Sequence, residues 1–222
     1  KNRIYTSFKS MYRPQQTDLN YLLYEGWQSN KFNNTATIGW DHTYRYTKGS
    51  GKINLEVSSS SIGSDYDFAK FSFTTVNRNS LGKFQLNTRI FAQYGSGSNW
   101  AMESQLYLAG ANPEALMDNK FTRAQGFIPN DWLGYGNTTN SFHMGGGLNL
   151  RGYSGYLAIG PNADGKYVQT YVGTSGASIS TELEFHKTLP VLKEQNKLKT
   201  YLFADAGLIN TNEISAQNFV NS

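Results

Sequence analysis

The residues of this chain that could do chemistry are few, and most stand far apart. No cysteine occurs in 222 residues, which excludes disulfides and thiolate metal sites. The three histidines, His42, His143 and His186, are scattered, with no H-E-x-x-H or similar metal-binding pair. What remains is electrostatic. The stretch "FHMGGGLNLRGYSGYLAIGP", residues 142–161, sets Arg151 among glycines and aromatics. Two later stretches supply carboxylates. "STELEFHKTLP" (180–190) carries Glu182 and Glu184, and "TYLFADAGLIN" (200–210) carries Asp205. Carboxylates gathered on one patch repel one another, and a cation relieves them. Arginine suits that task, because its rigid fork takes two carboxylates and stays charged at any relevant pH. Gly145, Gly146, Gly147, Gly152 and Gly155 permit the tight turns a loop tip would need to deliver it.

The elements that would position these groups are strands. Tyrosine (15), phenylalanine (13) and glycine (22) are plentiful and proline is scarce (5), a mix that favours strands over helices. Period-two alternation predicts seven strands, over about residues 3–12, 35–46, 52–60, 67–78, 83–94, 178–188 and 199–209. In the second, Ala36, Ile38, Trp40, Tyr44 and Tyr46 oppose Thr35, Thr37, Asp41, Thr43 and Arg45. In the fifth, Phe84, Leu86, Ile90 and Tyr94 oppose Gln85, Asn87, Arg89 and Gln93. In the last two, Ile179, Leu183 and Phe185 oppose Ser180, Glu182 and Glu184, while Leu202, Ala204 and Leu208 oppose Tyr201, Phe203 and Asp205. A long irregular segment, about residues 95–176, separates the fifth strand from the sixth. Within it, "NPEALMDNK" (112–120) has the Asn cap and Pro of a short surface helix, and Trp100 and Trp132 are expected to pack the segment on itself.

Mean hydropathy is −0.53. No apolar run nears the ~20 residues of a membrane helix. The net charge of +4 comes without a basic run that would point to nucleic acid. A soluble sandwich with one buried face fits the alternation. So does a membrane β-barrel, whose strands average out as polar. Three features favour the barrel. The strands run about 9–12 residues, near the length of a tilted span. Short connections, Thr47–Gly51 and Asn79–Gly82, alternate with long ones, although 61–66 is short for its side. A structureless loop of about 80 residues is uncommon in a compact soluble domain. Tyr5, Tyr12, Tyr44, Tyr46 and Tyr94, near strand ends, are candidates for an interfacial girdle. Seven strands do not close a typical barrel, and Lys1 follows no methionine or signal peptide, so further strands are expected before and after this sequence. The expected fold class is thus all-β: part of one antiparallel transmembrane β-barrel domain (1–222), with a long extracellular loop folded inward.

In that frame Glu182, Glu184 and Asp205 face the lumen. If Leu189 opposes Leu198, Glu182 stands opposite Asp205 and Glu184 is its diagonal neighbour, about 7–8 Å away. On residues alone, two readings stay open: an arginine–carboxylate contact, or solvated lumen carboxylates and an exposed loop arginine.

Three segments in order resemble the superfamily of outer-membrane assembly factors and two-partner-secretion barrels, which includes bacterial surface antigens. They are Leu150-Arg151-Gly152-Tyr153 at the loop tip, Leu183-Glu184-Phe185 on the next strand, and Phe203-Ala204-Asp205-Ala206-Gly207 on the strand after it. The resemblance covers about residues 84–210, with 1–83 matching only as generic barrel strand. It implies a structural lock in which Arg151, Gly152 and Tyr153 reach Glu184 and Asp205. It implies location in the bacterial outer membrane and assistance in inserting or exporting outer-membrane or surface proteins. Expected partners are outer-membrane lipids, client or fused proteins, and periplasmic or lipoprotein accessory subunits. The family's chemistry is non-covalent, so no catalytic residue, cofactor or metal is expected. The alternative is a barrel that anchors or exports a fused surface enzyme, such as a metallopeptidase or patatin-like lipase.

Overall fold

A computed structural model describes residues 1–13, 30–101, 104–107, 147–148, 150, 159–161, 167–169, 172–191 and 194–210. Seven long strands dominate it: β1 (Asn2–Arg13), β2 (Lys31–Tyr46), β3 (Gly49–Ser60), β4 (Asp67–Leu81), β5 (Phe84–Asn99), β10 (Ser175–Val191) and β11 (Glu194–Asn210). Four short strands lie between β5 and β10: β6 (Leu106–Tyr107), β7 (Ile159–Pro161), β8 (Tyr167–Gln169) and β9 (Val172–Gly173). The long strands form one antiparallel sheet in the order β1-β2-β3-β4-β5-β10-β11. Each therefore pairs with its sequence neighbours, except that β5 meets β10 across the long segment. The sheet is open, with β1 and β11 as its edges.

Each predicted strand is present, and most are longer than the alternation suggested. The two-residue turns explain part of the extension. Tyr46 pairs with Gly49 and Leu81 with Phe84, so only Thr47–Lys48 and Gly82–Lys83 are left to turn the chain. Gly82 has φ +68°, as the first position of a type II′ hairpin turn requires. All short connections, including residues 192–193, fall at one end of the sheet, here called the turn end. The longer ones fall at the other, the loop end.

The last hairpin corrects the expected register. Val191 pairs with Glu194, so Leu189 meets Asn196, Ser180 meets Asp205, and Glu182 meets Phe203. The expected pairing of Glu182 with Asp205 is off by two residues. The hairpin is centred one residue earlier than expected, with Val191 opposite Glu194, and this shifts every partner by two. An even slip keeps every side chain on its face, so the carboxylates still share one. β10 and β11 also run on past β5, whose last pair with β10 is Phe84–Phe185. Pro190 sits in that two-stranded extension, where it has no second ladder to break.

Burial is inverted relative to an ordinary sheet. One face carries Ile4, Phe8, Ile38, Val57, Phe71, Ile90, Ile179, Leu183, Leu202 and Leu208, all exposed. Ile4 is 76 % exposed and Leu202 75 %, at the two edges, but Val57 on the interior strand β3 is still 54 % exposed. The opposite, polar face holds the buried residues: Thr35, Ser58, Asn87, Arg89, Ser178, Ser180, Glu182 and Glu184. The polar face is closed by hydrogen bonds between side chains. Tyr5 lies flat over Gly39, where a Cβ would meet its ring, and donates to Glu56. Asn54 donates to the Tyr5 hydroxyl at 3.0 Å and to Asp41 at 2.9 Å, and Lys52 pairs with Asp41 at 3.0 Å. Tyr5 thus belongs to the polar face rather than to a girdle: its register against Gly39 makes the ring the cover for a missing side chain.

At the loop end, parts of the long segment pack back onto the polar face. Leu106, Leu148 and Leu150 form a buried cluster with Phe91, and Ile209 packs against it. Trp100 stacks on Phe68 at 4.7 Å beside Tyr66 and Ala101. The expected helix at 112–120 and Trp132 lie outside the described residues.

Candidate functional site

The site lies where β5, β10 and β11 run side by side. Their registers stack three rows on the polar face: Gln85–Glu184–Tyr201, Asn87–Glu182–Phe203, and Arg89–Ser180–Asp205. The period-two pattern of β10 alternates Ile179, Thr181 and Leu183 outward with Ser180, Glu182 and Glu184 inward, and this brings the carboxylates to one side.

Glu184 is 3 % exposed and accepts a hydrogen bond from the Asn87 side-chain amide at 2.9 Å. Gln85 donates to the Asn87 carbonyl oxygen at 2.8 Å, which fixes the amide with its NH2 toward the carboxylate. Glu182 is buried in the next row, and Asp205 is half-buried in the row beyond. Arg89 is 4 % exposed. Ser180, the residue between Arg89 and Asp205, is small, which leaves the guanidinium and the carboxylate in electrostatic contact across it. The Arg89 guanidinium lies over Phe91, 5.3 Å from the ring centroid.

Arg89 also holds the long segment. Its Nη2 donates to the Gly147 carbonyl at 2.5 Å and its Nη1 reaches the Leu148 carbonyl at 3.5 Å. Ser178 Oγ donates to the same Leu148 carbonyl at 2.7 Å. Gly147 adopts φ +61°, a left-handed turn that presents both carbonyls to the wall. Leu148 is fully buried beside Phe91, and Leu150 lies against Gly207. A Cβ at Gly207 would come within 3.0 Å of both Leu150 and the Ala177 carbonyl. The glycine that ends Phe203–Gly207 therefore makes room for the loop.

Of the expected lock residues, Glu184 and Asp205 share the polar face, and Gly147 supplies a positive-φ turn against it. Arg151, Gly152, Tyr153, Gly145 and Gly146 lie outside the described residues, as does His143. Reasoning from sequence missed Arg89 and Asn87 as site residues. Their signal was present: an arginine at the centre of a strand whose other polar residues on that face, Gln85, Asn87 and Gln93, are neutral amides, on a face that also carries three carboxylates. What hid them was the partner strand, which follows β5 only after the long segment.

No protein-family model matches the chain, and no curated protein matches it.

Proposed function

We propose that this chain is a wall segment of an outer-membrane β-barrel of the assembly and translocation type, in which a long extracellular loop is clamped to the inner wall. The observation that carries the reading is the inverted burial: an apolar face exposed across all seven strands and a polar face that holds the buried charges. A lipid bilayer is the solvent that suits such a sheet. Strand lengths of 12–17 residues exceed the roughly 9–11 that a tilted span needs. Aromatics on the apolar face include a set at each end, with Tyr12–Phe32 and Tyr94 toward the loop end. Tyr44, Tyr46 and the Phe84–Phe185 pair lie toward the turn end. That is the arrangement of interfacial belts. In this reading the sheet edges, β1 and β11, are covered by strand pairing in the closed barrel.

Arg151 follows Leu150, which is seated on Gly207, two residues along β11 from Asp205. We assign Arg151 as a second cation of the carboxylate patch, beside Arg89. The expected role in the cell is insertion or export of outer-membrane or surface proteins, by non-covalent means.

Three experiments test this. The chain should fractionate with outer membranes and show heat-modifiable mobility on a gel; a heat-insensitive protein in the soluble fraction sinks the barrel. A barrel bearing the chain, reconstituted in liposomes, should speed insertion of an unfolded client barrel over protein-free liposomes. If it does not, the insertase reading fails and an anchor for a fused surface enzyme takes its place. Arg151→Ala should lower the abundance of folded barrel. Wild-type abundance and function in that variant would remove Arg151 from the lock.

A further inference from the structure

The hairpins that close at the turn end share a pattern the carboxylate patch does not use. Two-residue turns close β2–β3 and β4–β5, and in each the second residue is an exposed lysine, Lys48 and Lys83. The register relates their heights. Gly49, beside the first turn, pairs with Asn79, and Asn79 lies two residues short of Leu81, which closes the second. The second turn is therefore displaced by about 6.8 Å along the strands and by two strand spacings, about 9.6 Å, across them. Those two displacements cancel in height at a strand tilt of about 35°, within the range of membrane barrels, about 35–45°. At that tilt Lys48 and Lys83 stand on one level, about 12 Å apart.

The same step carries the level onto β10 and β11. Phe84 pairs with Phe185, and two residues further Lys187 pairs with Leu198. Lys187 is the first charged residue of β10 with the strand parity of Ile179 and Leu183. The apolar face thus ends where the turn lysines stand, with Tyr44, Tyr46 and the Phe84–Phe185 pair at this level or just inside it. Charge changes there too. Residues 44–52 hold Arg45, Lys48 and Lys52, residues 78–85 hold Arg78 and Lys83, residues 185–193 hold Lys187 and Lys193, and no acid occurs in any of the three stretches.

We infer that this level is where the molecule meets an anionic phospholipid headgroup layer, with Lys48 and Lys83 paired to lipid phosphates. The inference rests on the barrel reading and names the lipid at its turn end. Two turn lysines about 12 Å apart are too far separated for one small anion. They follow the rim of an apolar face at a common height, and a headgroup layer is the anionic surface that adjoins an apolar solvent all along such a rim. Arg45, Lys52 and Arg78, on the polar face, add positive potential behind the rim without having to leave the contacts they make.

The test places the barrel bearing the chain in phosphatidylcholine vesicles with a trace of spin-labelled phosphatidylglycerol or spin-labelled phosphatidylcholine. The motionally restricted part of the electron spin resonance spectrum gives each lipid's relative affinity for the protein. Phosphatidylglycerol should be favoured about fivefold or more, the effect of one cation near an anionic surface. The preference should fall away at 1 M salt, where screening reaches ~3 Å. Lys48→Gln/Lys83→Gln should bring the two lipids close to parity. Lys9→Gln/Lys70→Gln, toward the loop end, should keep the wild-type preference. Heat-modifiable mobility confirms that each variant is folded, and the salt series on the wild type decides the matter if the turn variant is not. Equal affinity for the two lipids, a preference that survives 1 M salt, or one unchanged in a folded Lys48/Lys83 variant overturns this inference alone. A spectrum with no restricted component from either lipid overturns the barrel reading, and this inference with it.

Discussion

Arg89 is the residue on which the candidate site turns. A buried guanidinium is tolerated because it meets two carbonyls and an aromatic ring and feels the charge of Asp205 across Ser180. Removing it leaves the loop carbonyls without that donor and Asp205 without the Arg89 charge. Arg89→Ala should therefore cost about 3–5 kcal/mol, read as a lower urea midpoint of tryptophan fluorescence. Arg89→Lys should recover only part of that, because an ammonium cannot reproduce the fork. A midpoint within experimental error of wild type for Arg89→Ala would mean that the clamp carries no stability. Gly39 makes a different prediction. Gly39→Ala pushes the Tyr5 ring away and breaks its hydrogen bonds with Glu56 and Asn54, at about 1–3 kcal/mol by the same titration. Neither role was readable from residue type. Arg89 was legible as a polar-face residue, but the carbonyls it donates to arrive from 58 or more positions away in the chain.

At the scale of elements, the decisive event is β5 meeting β10. The pairing puts amides of β5 against carboxylates of β10, and it brings the carbonyls of residues 147–148 within reach of the wall. The loop is held by packing as well as by charge. Leu148→Ala should cost about 2–5 kcal/mol through the cavity it leaves. Gly207→Val should displace Leu150 and quicken limited proteolysis between β5 and β10, while leaving the strand signal in circular dichroism intact. Unchanged cleavage would show that Leu150 does not need the space at Gly207. Alternation along each strand made the seven strands and their faces legible in the sequence. The two-residue slip of β11 was not, because alternation is blind to even shifts and only the position of the closing pair, Val191 with Glu194, decides them.

For the whole molecule, the question is what solvent the apolar face meets. Val57 is exposed in the middle of that face. In a bilayer Val57→Lys should destabilise by about 2–4 kcal/mol if it lies near the midplane. In water an exposed substitution of this kind usually stays within about 0.5 kcal/mol. Refolding yield into lipid vesicles measures the difference, and a lysine tolerated there as well as at Thr74, on the polar face, would remove the bilayer from the account.

The sequence by itself determined that the chain is a set of antiparallel strands with one polar and one apolar face. That information is local, since each side chain's direction follows from its parity along the strand. It also marked Glu184 and Asp205 as belonging to one polar surface. Only the tertiary structure decided which face is buried, which row each carboxylate occupies, and that Arg89 and Asn87 meet the loop and Glu184. Those outcomes depend on strand neighbours and turn lengths, which join residues far apart in the chain, and no local pattern records them.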